Sequence, residues 1–110
     1  PDGTALYTTN CQSCHQANGE GLPGAFPPLK GSPVVNGDNL ELYVGIIMNG
    51  YDARADYGVM PPVGTNASLN ATEIAAIINH ERGAWGNNEK KVSEEEIKKI
   101  MDFVKLQAPK

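Results

Sequence analysis

The segment Cys11-Gln12-Ser13-Cys14-His15 holds the most reactive side chains of the sequence in one short run. Thiols three positions apart on a helical turn face the same way, so both can form thioether bonds to the two vinyl groups of one porphyrin. The residue that follows, His15, then projects under the ring and offers an imidazole nitrogen to iron. The Cys-x-x-Cys-His spacing is that of a c-type haem attachment site. Two other chemistries use similar residues. A thioredoxin-type redox pair would want a preceding strand in a βαβ unit, whereas here the pattern before Cys11 is helical. A zinc site would want four ligands, and the other histidine, His80, has no paired neighbour. A structural disulfide would close too small a loop to stabilise the fold appreciably.

An iron closed on both faces needs a second axial ligand, and Met48, Met60, Met101 and His80 are the candidates. Met101 falls on the apolar face of a terminal helix pattern and reads as core. Met48 lies near the end of another helix, and His80 sits late in a third, where it suits the negative end of the helix dipole. Met60 lies in a loop and precedes Pro61-Pro62, which extends the backbone and removes two N–H donors. A stiff, extended loop is suited to holding a thioether over iron. Met60 is therefore the expected ligand, with Met48 next.

Four helices and two long loops must position these groups. The first helix is expected over about Asp2–His15, with Asp2 as N-cap. The Gly/Pro-rich stretch 18–29 cannot be helical, and being partly apolar it should wrap something. The second helix is expected over about Asn39–Asn49, started by Asp38 with Glu41 and stopped by Gly50. A second loop, 50–69, carries Met60. The third helix is expected over about Ala71–Arg82, capped by Asn70 with Glu73. The fourth is expected over about Glu94–Leu106, capped by Ser93 with Glu96. Its apolar face is Ile97, Ile100, Met101 and Val104, with Phe103 beside it.

The 110 residues suit one domain, 1–110. A core this small would gain substantially from a large apolar cofactor. The formal charge of −4 argues against a nucleic-acid partner, and no apolar run is long enough to span a membrane. The opening Pro1-Asp2-Gly3 reads as a processed start. Phe26, Leu29, Ile46, Ile47, Val59, Val63 and Ile77 are expected to line the haem pocket. Haem propionates need donors when partly buried; Arg54, Arg82, Tyr43, Tyr51 and Trp85 are the candidates, with Trp85 more suited to packing against the ring.

The sequence resembles the class I c-type cytochromes over nearly its whole length. Gly3, Tyr7 and Cys11 recur at four-residue intervals as in that family's N-terminal helix, whose glycine and aromatic pack on the C-terminal helix; Ile100 and Phe103 look like the matching positions. Phe26-Pro27-Pro28-Leu29, Tyr57-Gly58-Val59-Met60-Pro61-Pro62 and Arg82-Gly83-Ala84-Trp85-Gly86-Asn87 resemble the single-haem modules attached to bacterial periplasmic dehydrogenases, copper nitrite reductases and terminal oxidases. The resemblance implies an all-α class I cytochrome c fold, about four helices around one covalently bound haem c. It implies Met60 as distal ligand and a proline carbonyl against His15, from Pro27 or Pro28, with Pro28 taken as the site residue. It further implies an extracytoplasmic, periplasmic electron carrier, monomeric and not itself an enzyme, or the electron-transfer domain of a larger one. Its partners would be a dehydrogenase, reductase or terminal oxidase. A sensor or peroxidase-like protein with an open distal site is the rival. The charged connector 88–92 and the polar segment 51–56 depart from the common pattern.

Overall fold

The computed structural model describes residues 2–52 and 57–107. Among them are the helices α1 (Gly3–Asn10), α2 (Gln12–His15), α3 (Leu40–Asn49), α4 (Val63–Asn66), α5 (Ala71–Gly83) and α6 (Glu94–Gln107), with no strand beyond isolated bridges. The expected four helices are recovered. The first is broken at Cys11, whose backbone leaves helical geometry at φ −125°, and α4 is an added turn within the second loop.

Local chemistry explains most of the ends. Asp2 accepts from the Thr4 and Ala5 amides, and Asn70 with Glu73 forms a reciprocal capping box. Ser93 and Glu96 bond in the same reciprocal way at the start of α6. At α3 the cap is Asn39, whose side chain accepts from Leu42 N at 3.1 Å, and not the expected Asp38. Both residues are good caps; the helix starts one residue later than Asp38 would require.

The core is built from Tyr7, Val35, Val44, Ile74, Ile77, Ile78 and Ile97, all essentially inaccessible. Helix α6 packs on α3 and α5, burying Ile97, Met101 and Val104. Among the described residues, the expected pairing of the N-terminal helix with the last helix is not the main one. Helix α1 crosses α5 instead: a Cβ on Gly3 would stand 2.3 Å from the Ala76 carbonyl oxygen, so the absence of a side chain permits the crossing. Phe103 is 50% exposed rather than packed on Tyr7.

Candidate functional site

A cavity of about 420 Å³ opens between the start of α2, helix α3 and the two long loops. Cys11 and His15 lie on one side of it, Met60 and Tyr57 come from the second loop, and Leu29, Val34, Val35, Ile46 and Ile47 supply apolar wall. Thus Leu29, Ile46 and Ile47 are where the sequence puts them. Ile77 lies in the core, and Val59 is 69% exposed.

His15 is buried, and its Nδ1 lies 2.9 Å from the carbonyl oxygen of Pro27. The carbonyl can only accept, so Nδ1 carries the proton and donates it, leaving the Nε2 lone pair for a metal. The partner is Pro27 and not Pro28: in two adjacent prolines only the backbone path decides which carbonyl reaches the ring. Pro28 still lines the cavity. Burial lowers the His15 pKa and so favours the neutral imidazole that can ligate a metal, while the Pro27 bond partly opposes that shift. The end of α2 is fixed from outside by Tyr7, whose hydroxyl donates to Gln16 O at 2.7 Å. Cys11 and Cys14 are free thiols, the first buried and the second half-buried. Burial pushes the Cys11 thiol up to about 12, aided by the Glu81 charge; Cys14 is not among the cavity-lining residues.

Met60 is half-buried and pinned by a two-way backbone pairing with Tyr51, with N–O distances of 3.0 and 2.8 Å. Gly50 makes this possible. It ends α3 at φ +79°, and a Cβ there would stand 2.5 Å from Met60 O. The loop is also tied to the first one, because Gly58 N donates to Ala25 O. The rival ligands lie elsewhere. Met48, 6% exposed, and Met101 line a separate groove between α4, α5 and α6. Met48 is one residue past Ile47, about 100° further round α3, and a Cβ on Gly64 would meet its sulfur. His80 stacks beside Tyr7 and bonds Thr4 Oγ1.

The propionate candidates are redistributed. Arg82 is buried and donates to the carbonyls of Val35, Gly37 and Lys90, so it holds the cavity wall together and is not a free donor. Trp85 does not line the cavity: its Nε1 donates to Ala17 O at 2.7 Å, and its ring packs on Gly19 and near Tyr7. Tyr43 does line the cavity, but its hydroxyl donates to Glu81 Oε1 at 2.5 Å. Tyr51 lines it from an exposed position. Arg54 lies outside the described residues.

Two residues missed in the sequence complete the site. Asn87 is buried and ties the 29–36 loop to α5 through Leu29 O, Gly31 N, the Asn36 side chain and Glu81 O. Glu81 lines the cavity at the end of the buried stripe Ile74, Ile77, Ile78; its signal was a carboxylate at an apolar position of the helical period.

The donor set suits an iron porphyrin: an apolar cavity, a neutral oriented imidazole, a thioether, and two free thiols at the attachment spacing. A family model, cytochrome c, matches residues 1–85. The chain is 34% identical over 110 residues to cytochrome c-552 of Thermus thermophilus, covering 90% of this chain and 83% of that protein. It is 36% identical over 95 residues to the cytochrome c subunit of a quinone alcohol dehydrogenase of Gluconacetobacter polyoxogenes, covering 77% of this chain and 19% of that subunit. It is 31% identical to the fructose dehydrogenase cytochrome subunit of Gluconobacter japonicus, over 90% of this chain and 22% of that protein. This chain belongs to the cytochrome c family. Its fold is the all-α class I fold, its cofactor is covalently bound haem c, and its function is electron transfer.

Proposed function

We propose that the chain relays single electrons through haem iron held between His15 and Met60, with Cys11 and Cys14 as the thioether anchors. The observation that carries this reading is the shared cavity: His15 and Met60 both line it, while Met48, Met101 and His80 are engaged elsewhere. Haem, when bound, supplies the one-electron couple, and a thioether ligand with an apolar wall favours a positive potential. The protein's own contribution is positional. Pro27 fixes the His15 tautomer, the Tyr51 pairing and Gly50 hold Met60, and Arg82 and Asn87 hold the loop that walls the cavity. With His15 and Met60 both holding the iron, small substrates would be kept off it.

Partners of this relay are other redox proteins, and we assign them to an extracytoplasmic compartment: the relatives include cytochrome subunits of alcohol and fructose dehydrogenases. No helix among the described residues is long and apolar enough to cross a membrane. The large share of the c-552 relative that is covered supports a small carrier of this one unit. The one-fifth coverage of the dehydrogenase subunits supports the same unit as a domain of a longer protein.

Replacing the distal thioether tests the reading. Met60→Ala lowers the potential and opens the iron to added cyanide or imidazole, whereas Met48→Leu leaves both unchanged. An unchanged Met60→Ala protein would show that another group is the ligand.

A further inference from the structure

Glu81 is a carboxylate where the pattern of α5 calls for an apolar side chain. It stands at i+7, i+4 and i+3 from Ile74, Ile77 and Ile78 and is 4% exposed. It lines the cavity that also holds His15 and Met60. Its Oε1 accepts the 2.5 Å bond from Tyr43, which is itself buried. The adjacent Arg82 directs its donors to three backbone carbonyls and places its Cζ 5.9 Å from the Tyr43 ring centroid. The other ionisable groups around Glu81 are Tyr7 and Cys11 from the α1 side, Tyr43 from α3, and His15, Tyr51, Tyr57 and the exposed Lys30 along the cavity wall. Helix α6 contributes none of the cavity lining.

We propose that Glu81 is a redox-linked proton site, which takes up one proton when the haem iron is reduced and releases it on oxidation. This rests on the haem occupying the cavity that Glu81 lines. The balance is simple. The carboxylate beside ferric iron, one electron from a redox partner and one solvent proton would give the carboxylic acid beside ferrous iron; the electron goes to the iron, the bond formed is O–H, and oxidation reverses both. Oxidised haem carries one more positive charge than reduced haem, so it favours the carboxylate, and reduction removes that support. Charges sharing one cavity of this kind, at an effective dielectric of about 20, change proton affinity by about tenfold. Burial pushes Glu81 up to about 7, while the Tyr43 bond draws it down. Burial in the cavity thus favours the protonated carboxyl, and the neutral range is where the exchange is sought. Because the reduced form binds the proton more tightly, the potential falls as pH rises between the two proton affinities. It is constant on either side of that window.

The test is a spectroelectrochemical titration of the full haem-loaded chain across the neutral range, with redox-difference infrared spectra of the same samples. The native protein loses potential by the equivalent of about a tenfold change in affinity, about 59 mV for one electron. A protonated-carboxyl band appears on reduction. Glu81→Gln removes both effects. Tyr43→Phe, which lacks the bond that favours the carboxylate, moves the fall to higher pH. A flat native potential, a fall that persists in Glu81→Gln, or reduction without the carboxyl band overturns the proposal. Should Glu81→Gln fail to fold, the native infrared spectrum and Tyr43→Phe still decide it. The near-infrared sulfur-to-iron band of the same samples reports Met60 ligation separately.

Discussion

Met48 and Met60 are chemically the same residue, and the backbone alone separates their roles. Met48 packs behind α3 against Gly64, and Met60 lines the cavity because Gly50 lets the chain cross its carbonyl closely. Gly50→Ala places a Cβ on extended backbone of positive φ, at a cost of roughly 1–3 kcal/mol, and also against Met60 O. The expected result is a Met60 that leaves the iron about tenfold more readily, read as a weaker sulfur-to-iron band at neutral pH and a lower pH for its loss. A band of native strength and pH stability would show that Gly50 does not hold the loop. At this scale the attachment motif was legible because its residues are consecutive. Pro27 over Pro28 was not, since both carbonyls are adjacent in the chain. Arg82 and Glu81 were obscured for a different reason: a charge at a helix end reads as solvated until the fold buries it.

The elements were legible where caps and periods agree, as in α5 and α6. They were less so where a single turn follows a Pro-Pro step, as in α4. The main misreading concerns which helix meets α1. Both α5 and α6 carry apolar faces, so periodicity could not choose between them. The contact itself requires a backbone approach at Gly3 that Ala76 of α5 provides. The family model ends at residue 85, just beyond α5, and α6 packs outside that unit. A paired substitution checks the crossing. Gly3→Ala forces a Cβ to 2.3 Å from Ala76 O and is expected to destabilise by about 1–3 kcal/mol through overpacking. Gly45→Ala, in mid-helix with nothing within 4 Å of the added Cβ, is expected to be neutral or to stabilise by up to about 1 kcal/mol. Urea unfolding of both reads the difference. Equal midpoints would mean that the crossing is loose enough to accept a side chain.

For the whole molecule, cavity and core share a frame. Helix α3 presents Tyr43, Ile46 and Ile47 to the cavity, and Val44 and Met48 to the protein interior. Helix α5 supplies the core isoleucines and, one turn later, Glu81 and Arg82. A small domain cannot bury a porphyrin in a separate lobe, so the residues that fold the chain also build its site. The attachment motif and Met60-Pro61-Pro62 carried the functional reading because they are local in the sequence. The detailed wall depended on long-range bonds such as Arg82 to Val35 and Asn87 to Leu29, which no local pattern encodes.

The central claim is a covalently held haem closed by His15 and Met60, and an oxidised-minus-reduced spectrum of the native protein extended into the near infrared tests it most directly. The account predicts colour that acid extraction does not remove, a low-spin spectrum and the weak sulfur-to-iron band. Covalent haem with that band missing, and with iron open to added ligands, would contradict it.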